Sequence, residues 1–252
     1  ASGVDGVSFV KGVTLGDIDN DGLVDVYLSN MNGDNILYHN ESDSELHFRD
    51  ISVEAGVQEP YISFPTWFWD YDNDGWQDLF VAGFDLASLD DMVDVHLNRP
   101  FEAETPRLYH NRGDLTFTER ATQMGLDRIT LSMGANFGDI DNDGWLDAYF
   151  GTGMPDMRIL VPNRMVRNDG GKRFVDVTSS GGFGTLQKGH GISFGDIDHD
   201  GDQDIYQILG AAFEGDTYEN GLLENPGQGN HWLTLDLEGV TSNRDAIGAR
   251  IH

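Results

Sequence analysis

Four short segments of the chain share an unusual spacing of carboxylates. Each has aspartate at its first, third, fifth and ninth positions and glycine at its sixth, and we call them loops 1 to 4. Two carboxylates about 5 Å apart repel each other by roughly 3 kcal/mol at an effective dielectric constant of about 20. Each cluster is therefore predicted to hold a cation. The acids are Asp17, Asp19, Asp21 and Asp25; Asp70, Asp72, Asp74 and Asp78; Asp139, Asp141, Asp143 and Asp147; and Asp196, Asp198, Asp200 and Asp204.

The predicted cation is calcium. Ligands that are all oxygen suit a hard cation, and a flexible, carboxylate-rich loop suits calcium better than magnesium. Glycine at the sixth position permits the sharp turn that brings the acids together. A single loop of this kind could equally be a solvated surface turn, but four copies in register favour about four structural calcium ions. The backbone carbonyl at the seventh position completes each predicted ligand set, at Leu23, Trp76, Trp145 and Asp202.

The loops differ from EF-hands, which need a bidentate glutamate at the twelfth position and a helix on each side. The flanks of these loops carry β-branched and aromatic residues over short runs, which is typical of strands. Each loop is therefore predicted to join two strands. The residues found at the twelfth position are Leu28, Val81, Phe150 and Gln207.

The repeat extends beyond the loop. A second motif follows at 36–40, 107–111 and 164–168, with a shorter copy at 222–225, and the first three copies lead to an aromatic strand. The first acids recur at spacings of 53, 69 and 57 residues. A four-stranded unit with a period of this order is typical of a β-propeller blade rather than a helical solenoid. The sequence predicts an all-β fold with four blades over residues 1–229.

Loops of the Gly-Asp-Ile-Asp-Asn-Asp-Gly type, each followed by the second motif, resemble FG-GAP/VCBS-type repeats. Those repeats are similar to the calcium-bearing blades of integrin α-subunits. Residues 230–239 and 242–250 resemble the start of an ASPIC/UnbV domain, and the combination resembles the cartilage acidic protein family. The resemblance implies that the four acid sets are calcium ligands. Propellers of that family have more than four blades, so we expect 1–229 to be part of a larger propeller and 230–252 to begin the ASPIC/UnbV region.

Composition narrows the class of partner. The net charge is −29, and sixteen of the 44 acids lie in the loops, so four calcium ions would still leave about −21. With only 15 basic residues and no basic cluster, neither nucleic acid nor an anionic membrane is an expected partner. No apolar run reaches transmembrane length. Loops of this solvated kind are typical of extracellular modules, which favours an extracellular, cell-surface or periplasmic location.

Three further features allow two interpretations each. The tripeptide at 112–114 spells Arg-Gly-Asp, but a polar turn explains it without an adhesive role. The aromatic run at 64–69 indicates packing between blades, or alternatively a stacking platform for a sugar ring. The extra residues between Gly83 and Pro106 include a segment, 85–94, that could form a short surface helix. The insertion is either a variable loop or a protrusion that binds a partner.

No catalytic residues are predicted, since neither a nucleophile elbow nor a phosphate-cradling loop occurs, and His39 and His110 share a repeat position that indicates a structural role. The expected function is a non-catalytic extracellular interaction or adhesion module that binds a protein or glycan at a propeller face. The alternatives are a carbohydrate-binding module, and an enzyme accessory or structural subunit of a larger cell-surface assembly.

Overall fold

The computed structural model describes residues 2–4, 8–86, 88–97, 99–154, 159, 161–210, 214–233, 235–240 and 244. Within these residues the fold is all-β, as predicted, and consists of four antiparallel sheets. Three sheets have four strands and the last has three. In every sheet the strands follow the chain order, so each sheet is a meander, and we call the sheets blades 1 to 4.

The acid loop joins the first and second strands of every blade, as the sequence predicts. Blade 1 contains β1 (Val10–Gly16), β2 (Asp25–Asn30), β3 (Ile36–Asn40) and β4 (Phe48–Asp50). Blade 2 contains β5 (Ser63–Trp69), β6 (Asp78–Gly83), β7 (Arg107–Asn111) and β8 (Phe117–Glu119). Blade 3 contains β9 (Ser132–Gly138), β10 (Asp147–Thr152), β11 (Arg164–Asn168) and β12 (Phe174–Asp176). Blade 4 contains β13 (Gly189–Gly195), β14 (Asp204–Leu209) and β15 (Gly221–Leu223).

The first strands of the blades lie side by side. β1 contacts β5, β5 contacts β9, and β9 contacts β13. This is the arrangement of propeller blades, and it brings the four acid loops to the same end of the molecule. Glycine permits the closest approach, because a Cβ atom on Gly134 would lie 1.2 Å from the carbonyl oxygen of His190 in β13.

The aromatic run before loop 2 packs between blades. Phe68 lies against Tyr27 of blade 1, with ring centroids 6.4 Å apart. Trp67 and Trp69 point the other way, toward blade 3, and are 6% and 2% exposed. This alternation confirms the interblade interpretation for Trp67, Phe68 and Trp69, because buried rings cannot stack on a sugar ligand.

Helices are short and connect strands. The insertion contains α2 (Leu89–His96), which confirms the predicted surface helix with a shift of a few residues. Ser88 caps its N-terminus in a capping box with Asp91. Two one-turn helices that the sequence analysis did not predict, α1 (Ser52–Ala55) and α3 (Ala121–Met124), follow the outer strands of blades 1 and 2. No helix within the described residues is long and apolar enough to cross a membrane.

The segment after blade 4 runs along loops 3 and 4. Asn230 donates a hydrogen bond through Nδ2 to the backbone carbonyl of Asp141 at 2.8 Å. Trp232 lies against Gly201, the glycine of loop 4. Residues 234, 241–243 and 245–252 lie outside the described residues, so an ASPIC/UnbV region over 230–252 stays a prediction.

Candidate metal centres

The first aspartate of each loop organises the turn that follows it. In loop 1, the carboxylate of Asp17 accepts hydrogen bonds from the backbone N–H groups of Asp21 and Gly22, both at 3.1 Å. Gly22 has a φ of +88°, a conformation that favours glycine. The other three loops repeat these two bonds, from Asp74 and Gly75 to Asp70, from Asp143 and Gly144 to Asp139, and from Asp200 and Gly201 to Asp196.

The ninth-position aspartate is the buried anchor of each loop. Asp78 is fully buried, and it accepts hydrogen bonds from the backbone N–H of Tyr71 within its loop, at 3.3 Å, and of Asn111 in β7, at 2.8 Å. One carboxylate therefore closes the loop and ties it to the third strand. Asp25, Asp147 and Asp204 do the same with Asn40, Asn168 and Asn225, so the shortened motif of blade 4 keeps this role.

The side chain of the same asparagine also connects neighbouring blades. Asn111 donates through Nδ2 to the carbonyl of Gln77 in its own loop, at 2.9 Å, and of Ile18 in loop 1, at 2.7 Å. Asn168 and Asn225 repeat the cross-blade bond to Tyr71 of loop 2 and Ile140 of loop 3.

A second set of cross-blade bonds runs directly from loop to loop. The fourth residue of each of the first three loops is an asparagine in a left-handed conformation, and its Nδ2 donates to the glycine carbonyl of the next loop. The bonds are Asn20 to Gly75 at 3.3 Å, Asn73 to Gly144 at 3.0 Å and Asn142 to Gly201 at 3.1 Å. We call these two sets of bonds the interloop belt. Through the interloop belt, each acid loop is hydrogen-bonded to the loop of a neighbouring blade.

The loop acids fit a divalent cation. Single oxygens from three acids lie within 4.8 Å of one another in loops 1, 2 and 3, in the groups Asp17, Asp19 and Asp25; Asp70, Asp72 and Asp74; and Asp139, Asp141 and Asp147. Asp72 Oδ1 and Asp141 Oδ1 are buried, and neither accepts a hydrogen bond within the described residues. A cation would satisfy both oxygens. The calcium assignment, the ligands of loop 4 and the seventh-position carbonyls stay predictions.

Comparison with known proteins agrees with this repeat. A family model described as the FG-GAP-like repeat matches residues 17–81, 70–150 and 151–206. The chain belongs to the FG-GAP-like repeat family. It is also 25% identical over 205 residues to cartilage acidic protein 1 of Mus musculus and, to the same extent, of Xenopus tropicalis. Each match covers 77% of this chain and 30% of the relative, so the chain spans about a third of the length of these relatives.

Blades 1, 2 and 3 of this FG-GAP-like repeat protein also place a basic side chain from the third strand beside the third-position acid. His39 Nε2 is 3.0 Å from Asp19 Oδ2 in blade 1. His110 Nδ1 is 3.4 Å from Asp72 Oδ2 in blade 2, and Arg167 Nη1 is 3.6 Å from Asp141 Oδ2 in blade 3. Sequence reasoning missed these contacts. The signal was the recurrence of a basic residue just before the motif asparagine.

The predicted turn at the Arg-Gly-Asp tripeptide is supported by the structure. Gly113 has a φ of +71°, and a Cβ atom there would lie 2.8 Å from the ring of Trp76. The carboxylate of Asp114 accepts a hydrogen bond from the backbone N–H of Thr116 at 3.1 Å. Both residues therefore have structural partners. Gly171 lies against Trp145 in the same way in blade 3.

Burial without a cation makes the anchor carboxyls poor acids. Burial raises the pKa of Asp78 to about 8 and that of Asp147 to about 7, although the backbone N–H donors oppose the shift. Burial also raises the pKa of Asp25. For Asp72 and Asp141, burial and then the neighbouring fifth-position carboxylate raise the pKa. A cation in the loops would stabilise the ionised forms of all five.

The raised pKa values predict how the stabilisation by calcium changes with pH. Asp78 and Asp147 have pKa values above 3.8 in the calcium-free fold, so the unfolded chain ionises these groups first. The free energy of unfolding of the calcium-free protein should therefore fall as pH rises from about 4 to about 8. Calcium needs ionised carboxylates, so its binding strengthens over the same range. We expect the difference in melting temperature between calcium-loaded and chelated protein to widen from about pH 5 to about pH 8. A constant difference would contradict the assignment.

The interloop belt makes a prediction with a matched control. Asn111→Ala removes the donor to two backbone carbonyls, one of them in the preceding blade, and should cost about 1 to 3 kcal/mol of unfolding free energy. Asn40→Ala removes the same motif residue from blade 1, where Nδ2 reaches only the carbonyl of Val24 in its own blade among the described residues. Urea denaturation of both variants should show a larger loss for Asn111→Ala, and equal losses would count against the belt.

Proposed function

We propose that this chain is a non-catalytic, extracellular, calcium-binding interaction module, in which the calcium ions are structural. The observation that carries the proposal is the interloop belt, because it joins the four acid loops into one connected end of the blades. A cation in one loop would therefore stabilise the neighbouring loops as well as its own.

The residues that would hold each ion are the acids at positions one, three, five and nine, with the carbonyl at position seven. A calcium ion supplies charge neutralisation and a fixed coordination shell. The protein's own contribution is the preformed turn around the first aspartate and the buried anchor at the ninth. Together these features hold the loops at the propeller face in one conformation. Binding residues are concentrated in loops that a rigid scaffold supports.

Several observations support an extracellular role. FG-GAP-like repeats form the chain, and the similar proteins carry a name that refers to cartilage and acidity. Calcium loops of this solvated kind bind at roughly 10⁻⁴ to 10⁻³ M, so they fill at extracellular calcium levels. The net charge of −29 favours a partner with a basic surface.

We propose that further blades complete the propeller. Leu15 precedes loop 1 by the same two residues as Phe68 precedes loop 2, yet Leu15 is 63% exposed and Phe68 is 6% exposed. Blade 1 covers Phe68, whereas none of the described residues covers the outward face of β1. Val13 is exposed on the same face, and Ile208 is exposed on blade 4. A neighbouring blade would bury these side chains.

The test is binding of the whole chain to immobilised matrix proteins, followed by surface plasmon resonance in about 2 mM calcium and after chelation. We expect calcium-dependent binding to at least one basic matrix protein, which weakens as salt rises because surface charge pairs are screened. Asp143→Asn and the exposed non-loop control Asp114→Asn should separate loss of a loop ligand from loss of charge. Binding that is the same with and without calcium would overturn the structural role of the ion.

A glycan partner is the second candidate, because Trp232 is 53% exposed beside loop 4. Exposed aromatic rings are the stacking surfaces that sugar-binding modules use. A glycan array probed with the calcium-loaded chain, and with Trp232→Ala, distinguishes this role from protein binding.

A further inference from the structure

The blades differ at one position that faces the acid loops. The residue before the motif asparagine is His39 in blade 1, His110 in blade 2, Arg167 in blade 3 and Glu224 in blade 4. Only blades 1 and 2 therefore offer a nitrogen lone pair at this position, since a guanidinium has none and a carboxylate offers oxygen.

The two imidazoles lie among carboxylates at distances that suit a shared ion. One atom from each of Asp19, Asp21 and His39 lies within 4.8 Å of the others, and Asp72, Asp78 and His110 form a second such group. Two ligands bonded at 2.0–2.1 Å to a tetrahedral ion are about 3.3 Å apart. The observed contacts are 3.0 Å from His39 Nε2 to Asp19 Oδ2, and 3.4 Å and 3.2 Å from His110 Nδ1 to Asp72 Oδ2 and Asp78 Oδ1.

Three further observations support a ligand at these groups. His39 is 8% exposed, and a hydrogen bond of 3.0 Å between its Nε2 and Asp19 Oδ2 holds the imidazole beside the acids. His110 Nδ1, the atom that faces Asp72 and Asp78, is buried and makes no hydrogen bond within the described residues. The buried Asp72 Oδ1 in the same group also accepts none. An ion bound by His110 Nδ1 and the Asp72 carboxylate would give this nitrogen a partner.

We propose that blades 1 and 2 hold mixed nitrogen–oxygen sites, in which His39 or His110 joins two loop carboxylates to bind a borderline divalent transition ion of the Zn²⁺ class, for which Mn²⁺ serves as the paramagnetic probe. Imidazole is a ligand that suits Zn²⁺, whereas an all-oxygen set suits calcium. The inference deepens the proposed function, because it rests on the loops being cation sites. Blade 3 cannot form the mixed site, since the cation of Arg167 occupies the place of the imidazole.

Calcium and the transition ion should compete for the loops of blades 1 and 2. All four acids of the mixed groups also belong to the predicted calcium sets, so the two ions exclude each other there. These acids are Asp19, Asp21, Asp72 and Asp78. Two transition ions per chain are expected, with calcium retained in loops 3 and 4. The chain would then sort cations by blade, and the sorting residue would come from the third strand rather than from the loop.

The experiment is pulsed electron paramagnetic resonance of the whole chain with two equivalents of Mn²⁺ and excess calcium, which detects nitrogen bonded directly to the ion. We expect nitrogen coupling in the wild-type chain and its loss in the His39→Gln/His110→Gln double variant. Manganese affinity should fall by about 10-fold or more in that variant. His47→Gln removes an exposed histidine, and Arg167→Gln changes the corresponding residue of blade 3, so both should keep the coupling.

Native mass spectrometry counts calcium in the same samples, and circular dichroism confirms that the variants fold. With these controls, each outcome supports or overturns the mixed sites. Calcium binding without nitrogen coupling to manganese overturns the mixed sites and leaves the proposed function standing. Coupling that survives in the double variant also overturns them, because the nitrogen then comes from elsewhere. Absence of both calcium and manganese overturns the loops as cation sites, and the proposed function with them.

Discussion

Chelating calcium should lower the melting temperature of the chain by roughly 5 to 30 °C. With dissociation constants of about 10⁻⁴ to 10⁻³ M, each site contributes about 0.7 to 1.8 kcal/mol at about 2 mM calcium. Four sites then contribute about 3 to 7 kcal/mol, and each kcal/mol shifts the midpoint of a domain of this size by about 2 to 4 °C. The shift is large because folding brings together acids that repel one another without the ion.

The measurement is a thermal melt by circular dichroism, with calcium and after chelation, while native mass spectrometry counts the ions. Asp143→Asn is the sharpest variant, because the amide oxygen can keep the hydrogen bond from the backbone N–H of Trp145 while the loop loses a charged ligand. It should remove about one ion and about a quarter of the shift. Asp114→Asn, outside the loops, should leave the ion count unchanged. A melt that does not respond to chelation would refute structural calcium.

The fold was predictable because the loops impose a local constraint that repeats. The strands on either side of each loop, the four-stranded unit and the interblade role of the run around Trp67 all follow from patterns within one repeat. The motif asparagine of blade 4 was recognisable even in a shortened copy, since Asn225 makes the same bond to its anchor, Asp204. The spacing of residues within one repeat was therefore enough to predict most of the architecture.

The features that sequence reasoning missed depend on contacts between repeats or on very short elements. Asn111 and Ile18 are 93 residues apart, and no local pattern predicts that their blades meet there. The helices α1 and α3 have four residues each and lack side-chain caps, so they offer neither periodicity nor a start signal. The contact between His39 and Asp19 joins a loop to a third strand, and only the register of the sheet places them together.

The aromatic core between blades 2 and 3 should tolerate truncation poorly. Trp69 is 2% exposed and stacks on Phe174, with ring centroids 5.5 Å apart and an interplanar angle of 13°. It also contacts Phe137 at 5.6 Å and Phe80 at 6.2 Å, so one ring joins strands of two blades. Trp69→Ala would leave a large cavity and should cost about 3 to 5 kcal/mol of unfolding free energy.

Urea denaturation in the presence of calcium measures the loss of unfolding free energy. Two further variants test whether this loss comes from the stacked ring of Trp69. Trp69→Phe keeps a ring in the stack and should cost clearly less than Trp69→Ala. Trp232→Ala removes a tryptophan that is 53% exposed and should change the unfolding free energy by less than about 1 kcal/mol. Equal losses at Trp69 and Trp232 would mean that blades 2 and 3 are not held together by this stack. A loss confined to Trp69 would show that packing between blades 2 and 3 contributes strongly to the stability of the propeller. The proposed calcium ions would add to this stability at the end of the blades where the loops lie.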